Sequence, residues 1–172
     1  DTFTIGANTY AIVTAFNDNG VQIIDISNPY SPSSAGSLID GPTLTLAGAN
    51  GVDTFTIGAN TYAIVAAFND NGVQIIDISN PDYPSPAGSL IDSPTLQLGG
   101  ANDVDTFTVD GSPYAIVTAF NEGVQIIDIS NPDYPSSRGW LADSPTLQLG
   151  GANGVDTFTV DGSPYAIVTA FN

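Results

Sequence analysis

An all-β chain of tandem four-stranded antiparallel units is the fold class this sequence predicts, and three observations carry the prediction. The tetrapeptide DTFT begins at Asp1, Asp53, Asp105 and Asp156, giving spacings of 52, 52 and 51 residues, and a period near 50 marks a stacked repeat architecture. Each unit holds short runs rich in Val, Ile, Thr, Phe and Tyr that end in Gly, Asn, Asp or Pro, the composition of strands and tight turns. No segment shows the capped i, i+3, i+4 apolar spacing of a helix.

Within the first copy, DTFTI (Asp1 to Ile5) reads as a strand ended by the turn GANT. TYAIVTAF (Thr9 to Phe16) follows and stops at NDNG, whose Asn19-Gly20 pair signals a tight hairpin. GVQIIDIS (Gly20 to Ser27) is the third run, closed by Asn28-Pro29. A short fourth run, AGSLI (Ala35 to Ile39), precedes the link DGPTLTLAGANGV that leads to the next copy. The units are residues 1–52, 53–104 and 105–155, with 156–172 holding the first hairpin of a fourth.

The second run places Tyr10, Ile12, Thr14 and Phe16 on one face and Ala11, Val13 and Ala15 on the other. Both faces are buried if the bulky side of each sheet receives the small side of its successor. The third run agrees, since Val21 and Ile23 point one way and Ile24 and Ile26 the other, where a sheet wetted on one side would alternate with polar residues. Face-to-face stacking of four-stranded sheets is the plan of a β-propeller. Such rings use about four to eight blades, so the expected form is β-propeller-like, either open or part of a longer array or assembly. Lacking an initiator Met, the chain reads as a processed product or a piece of something longer.

The segment YAIVTAFNDNGVQIIDISNPYSP recurs as YAIVAAFNDNGVQIIDISNPDYP and YAIVTAFNEGVQIIDISNPDYP. It resembles the LVIVD-repeat β-propellers of bacterial and archaeal surface proteins, in which a YAYVA-like strand, a short turn, a G-L-x-I-I-D-I-S strand and an N/D-P turn form the middle of a blade. That resemblance implies a propeller blade and a surface-exposed protein. The copies here exceed the roughly 40–45 residues of many blades, and the excess sits in the link SPTLQLGGAN.

Composition narrows the chemistry. Eighteen acidic residues face one basic residue, Arg138, for a formal charge of −17, which repels phosphate backbones and anionic headgroups. Nucleic-acid binding is excluded, and no apolar run reaches the roughly 18 residues of a membrane helix. With no His and no Cys, the chain offers no zinc site, catalytic triad with histidine, thiol nucleophile or disulfide. Oxygen ligands remain, so a hard cation such as Ca²⁺ is the one metal these side chains suit. Otherwise no cofactor is expected.

The Asp that opens each later repeat, Asp53, Asp105 and Asp156, should lie on the strand nearest the axis. Carboxylates converging there would call for a cation between them, with Asn50, Asn102 and Asn153 as neighbouring oxygen donors. Asp25, Asp77 and Asp128, inside I-I-D-I-S, are expected to fix the blade corner by accepting hydrogen bonds from the following turn. The Asn17-to-Gly20 and Asn69-to-Gly72 turns read as turn chemistry, because the third copy shortens them to Asn121-Glu122-Gly123. Tyr30, Tyr83 and Tyr134 are expected to plug the blade edge. Arg138 and Trp140 occur once only, in SSRGWLAD, and at i, i+2 they should share a strand face; together they are the candidate contact for a partner.

Near-identity of copies without a reactive constellation unique to one of them points to a building material. The expected function is that of a non-enzymatic extracellular protein, a cell-surface, sheath or filament component that associates with neighbouring chains or blades. The competing reading is a binding module for a glycan, a protein or a Ca²⁺-bridged partner.

Overall fold

The computed structural model describes residues 1–171, and every regular element among them is a strand. The first sheet comprises β1 (Thr2–Ile5), β2 (Asn8–Ala15), β3 (Gly20–Asp25) and β4 (Ser33–Ile39). The second comprises β5 (Ala49–Ile57), β6 (Asn60–Ala67), β7 (Gly72–Asp77) and β8 (Ser85–Ile91). The third comprises β9 (Ala101–Val109), β10 (Ser112–Ala119), β11 (Gly123–Asp128) and β12 (Ser136–Ala142). Finally β13 (Ala152–Val160) and β14 (Ser163–Ala170) form a two-stranded sheet. Spatial order follows chain order in each sheet, and all pairings are antiparallel. The tandem all-β expectation holds.

Turn chemistry explains the hairpins. Asn19 (φ 54°) and Asn71 (φ 53°) take the left-handed backbone that Asn tolerates, and Asp110-Gly111 and Asp161-Gly162 take it at both residues, as a two-residue primed turn requires. Strand bounds differ from expectation in one respect. The sequence places Ala49 to Val52 in the link, because Asn and Gly are poor strand formers; in the structure β5 already starts at Ala49, paired with Ala67. A register shift between Ala49 and Val52 absorbs Asn50-Gly51 as a bulge. The same extension recurs in β9 and β13. The link is also part of the core, since Leu46 and Leu98 are fully buried.

Stacking follows the bulky-on-small rule. Phe3, Ile12, Val21 and Ile23 of the first sheet pack on Ala63, Val65, Ile76 and Ile78 of the second. One sheet further on, Phe55, Ile64, Val73 and Ile75 pack on Ala115, Val117, Ile127 and Ile129. The interface survives with two strands on the receiving side, where Ile116, Val124 and Ile126 meet Val155 and Val168. A row of aromatic rings crosses all four sheets at the ends of their second strands: Phe16, Phe68, Phe120 and Phe171 lie with centroids 6.3, 6.2 and 6.4 Å apart, within the range of favourable aromatic pairing.

Loops lock the stack from outside. Gly36 N–H donates to Pro81 O and Gly88 N–H to Pro132 O, both at 2.8 Å, each bridging two sheets. A side chain at Gly36 would collide with the Pro84 ring and the Pro81 carbonyl, and one at Gly88 with the corresponding Pro135 and Pro132. Close approach explains the glycine in the first two copies.

Candidate functional site

The innermost strands β1, β5, β9 and β13 each expose an edge toward the axis, and edge amides need acceptors. The repeat-opening aspartates supply them. Asp1 Oδ2 accepts Thr54 N–H at 3.1 Å and the Thr54 hydroxyl at 2.5 Å. Asp53 Oδ2 accepts Thr106 N–H at 2.7 Å, and Asp105 Oδ2 accepts Thr157 N–H at 2.6 Å. Each carboxylate thus reaches from its own sheet to the next. Asp156, on β13, is exposed. Burial pushes the Asp53 carboxyl above its ordinary value and the neighbouring Asp105 adds to that, against hydrogen bonds from Thr106 and Thr54.

This geometry bears on the expected cation ligands. Asp53, Asp105 and Asp156 occupy equivalent places on successive inner strands, and among the described residues no group of three or more acidic side chains is arranged to hold a metal ion. Asp53 and Asp105 accept the Thr106 and Thr157 amides across the sheet boundary.

Above this row, at the start of the inner strands, lies a polar cavity of about 230 Å³ lined by Asn50, Gly51, Asn102, Asp103, Asn153 and Gly154. The asparagines form a ladder: Asn50 Nδ2 donates to Asn102 Oδ1, and Asn102 Nδ2 to Asn153 O at 3.3 Å. Asp103 accepts Val104 N–H through Oδ1 at 3.0 Å and Val155 N–H through Oδ2 at 2.9 Å. Sequence reasoning misses Asp103 as a site residue. Its signal is nonetheless present, since ANDV stands where the sister copies have ANGV, with Gly51 and Gly154 on either side making room for the carboxylate.

Other acids and amides hold the links. Gln74, almost fully buried, accepts Thr45 N–H at 3.1 Å and donates to Gly88 O at 3.1 Å; Gln125 takes Gln97 N–H at 3.0 Å. Asp92 Oδ1 accepts Leu98 N–H at 3.0 Å and Asp143 Oδ1 accepts Leu149 N–H at 2.8 Å. The NDNG turns do more than turn: Asp70 Oδ2 accepts Ala47 N–H, and in the shortened copy Glu122 Oε2 reaches the equivalent Gly99 N–H, both at 2.9 Å. An extra methylene makes up for the deleted residue.

At the outer corners, Asp25, Asp77 and Asp128 each accept the amide of the serine two residues on, at 2.8, 2.9 and 2.9 Å. The Ser27 hydroxyl and amide hold Asp25 below the ordinary carboxylate value; for Asp128 the Ser130 amide comes first, with Arg138 contributing. Arg138 donates to Asp128 Oδ2 from Nη2 at 2.6 Å and from Nε at 3.2 Å. It is the residue skipped in the register between β11 and β12, so a bulge interrupts the alternation on which the shared face of Arg138 and Trp140 depends. Trp140 is exposed. The tyrosines overturn an expectation: Tyr30 is 97% exposed and Tyr83 and Tyr134 are 79% exposed, so they stand out from their proline turns and plug nothing.

Stacked four-stranded antiparallel sheets, tied along an inner row of strands, define a protein of the β-propeller class. The LVIVD repeat model matches residues 8–40, 60–92 and 102–140, more than half the chain, and the protein belongs to the LVIVD repeat family. Comparison with curated proteins finds no match. Among solved structures, the GH43 endo-arabinanase from Bacillus licheniformis is similar over 97% of this chain and 63% of its own, with a TM-score of 0.69 and 16% identity. The exo-β-1,3-galactanase from Phanerochaete chrysosporium, bound to β-1,3-galactotriose, is similar over 99% of this chain and 43% of its own, with a TM-score of 0.66 and 12% identity. The chain therefore spans less than two thirds of these enzymes, and at such identities the likeness is one of fold.

Proposed function

We propose that this chain is a non-enzymatic extracellular structural protein, a component of a cell surface, sheath or filament built from tandem blades. The observation that supports this most is where the carboxylates go: at each boundary an inner aspartate accepts an amide of the next sheet, in the same position each time. Groups that could do acid–base chemistry are thereby committed to joining blades, and the joint is repeated as a building material requires. Electron microscopy of the native material tests the reading, with sheets or fibres as the expected result. Hydrolysis of a galactan or arabinan by the purified chain, lost in Asp53→Asn, would overturn it.

A second reading, a binding module, is favoured by the cavity around Asp103. Three carboxamides and one carboxylate offer hard oxygen donors suited to Ca²⁺ or to sugar hydroxyls. Calorimetric titration of Ca²⁺ into the chain and into Asp103→Asn separates this reading from the first. Heat of binding that vanishes in the variant favours the module.

A further inference from the structure

We infer that Asn50-Gly51 is a modification site, where the folded chain deamidates with water as the only co-reactant, ahead of its other Asn-Gly pairs. Those pairs are Asn19-Gly20, Asn71-Gly72 and Asn153-Gly154. Asparagine is thermolabile, most of all before glycine, which has no Cβ to shield its amide nitrogen from the carboxamide that precedes it. The fold ranks the four.

Three of them are tied down. Asn19 and Asn71 sit in left-handed turns (φ 54° and 53°), and their Oδ1 atoms accept the amides of Gly48 and Gly100, each at 2.8 Å, so both carboxamides are directed to a link. Their glycines pair with Ala15 and Ala67 in the hairpins. Asn153 lies in the bulge that opens β13, where Gly154 N–H donates to Thr169 Oγ1 at 3.0 Å. The third copy repeats that clamp, with Asp103 N–H donating to Thr118 Oγ1 at 2.9 Å. In the second copy Ala66 stands at the threonine's position and offers the Gly51 amide no hydroxyl. Asn50 is exposed and borders the polar cavity, so water reaches its carboxamide. Sheets of the chain flank the site on both sides: Thr14 Oγ1 of the first donates to Asn50 O at 2.5 Å, and Asn102 of the third accepts Asn50 Nδ2.

The chemistry needs no catalyst. Solvent base takes the Gly51 amide proton, and the nitrogen attacks Asn50 Cγ. The N–Cγ bond forms, the Cγ–Nδ2 bond breaks, and Nδ2 takes up a proton and leaves as ammonia. Water then opens the cyclic imide at either carbonyl, leaving aspartate or isoaspartate at position 50. One water is consumed for each ammonia released, and nothing is oxidised or reduced. The rung to Asn102 Oδ1 loses its donor, and a second carboxylate enters the cavity beside Asp103. Like charges repel there, loosening the joint between the second and third sheets on the axial side.

The test holds the full 172-residue chain folded at mildly alkaline pH and follows amide-to-acid conversion at each asparagine by peptide mapping and mass spectrometry. Asn50 is expected to convert at least about fivefold faster than Asn19, Asn71 and Asn153, the factor that one ordinary hydrogen bond is worth. In urea the four rates should converge. Ala66→Thr supplies the missing hydroxyl and should slow Asn50 to the rate of Asn153; sister copies carry threonine there, and circular dichroism checks the fold. Thr169→Ala is the converse and should raise Asn153 toward the rate of Asn50. A folded chain in which another pair converts first, or all four keep pace, overturns the proposal. So does a folded Ala66→Thr chain with Asn50 unslowed, or a Thr169→Ala chain with Asn153 no faster.

Discussion

Asp53 Oδ2 stands 2.7 Å from the backbone nitrogen of Thr106, so a carboxylate of the second sheet holds an amide of the third. Asp105 Oδ1 approaches the same nitrogen at 2.9 Å. Two acids therefore converge on one N–H in a partly buried place, and the price is a raised Asp53 carboxyl, set by burial and by Asp105. In the fold its value lies above that in the unfolded chain, so ionised Asp53 costs stability above both values, and the cost disappears as pH falls through the folded-state value. Asp53→Asn keeps an oxygen acceptor and removes the charge. Unfolding in urea should show the variant equal to or more stable than wild type at neutral pH, by about 1 kcal/mol or less, with the relative gain shrinking toward acid pH.

Asp25 and Asp128 work in the opposite sense. Their lowered carboxyls, held by Ser27 and Ser130, contribute stability that is present above the ordinary carboxylate value and is lost as pH falls through the lowered one. Thermal melts of Asp25→Asn across that acid range should lose part of the wild-type slope; an unchanged slope counts against the corner hydrogen bond.

Gln74 is the most exacting polar residue of the stack. Replacing it by leucine leaves the Thr45 amide and the Gly88 carbonyl without their side-chain partner, and buried unsatisfied groups cost about 1–3 kcal/mol each. Chemical denaturation of Gln74→Leu is expected to show a loss in that range despite the gain in apolar volume.

Gly88 and Gly139 make a matched pair. Alanine at Gly88 meets the proline loop of the third sheet, whereas alanine at Gly139 meets nothing within 4 Å. Differential scanning calorimetry should find Gly88→Ala destabilised by about 1–3 kcal/mol through overpacking, and Gly139→Ala within about 0.5 kcal/mol of wild type. Equal effects would refute the loop contact.

Glu122→Asp removes the methylene that lets the shortened turn reach Gly99 N–H. About 1 kcal/mol should be lost, and amide exchange at Gly99 should quicken while exchange in β6 stays as it was.

The strands and their stacking were legible because side-chain size alternates along TYAIVTAF, and alternation survives translation into three dimensions without knowledge of distant partners. The inner strands were less legible at their starts. Asn50-Gly51 looks like a turn locally, and only pairing with β6 draws it into a strand through a bulge. The carboxylates were the least legible, because nothing in DTFT says that the aspartate's acceptor faces an amide 53 residues on. Tyr30, Tyr83 and Tyr134 misled for a related reason: hydrophobic character was readable, but the proline turns that hold those rings outward are a matter of loop geometry.

The ion pair between Arg138 and Asp128 involves the one basic side chain of the sequence. Proteases that cut after basic side chains find a single cleavable position in the whole sequence, and that position lies on β12 with its guanidinium tied to a neighbouring strand. Within these 172 residues a trypsin-like enzyme has one place to cut, in the outermost strand of the third sheet.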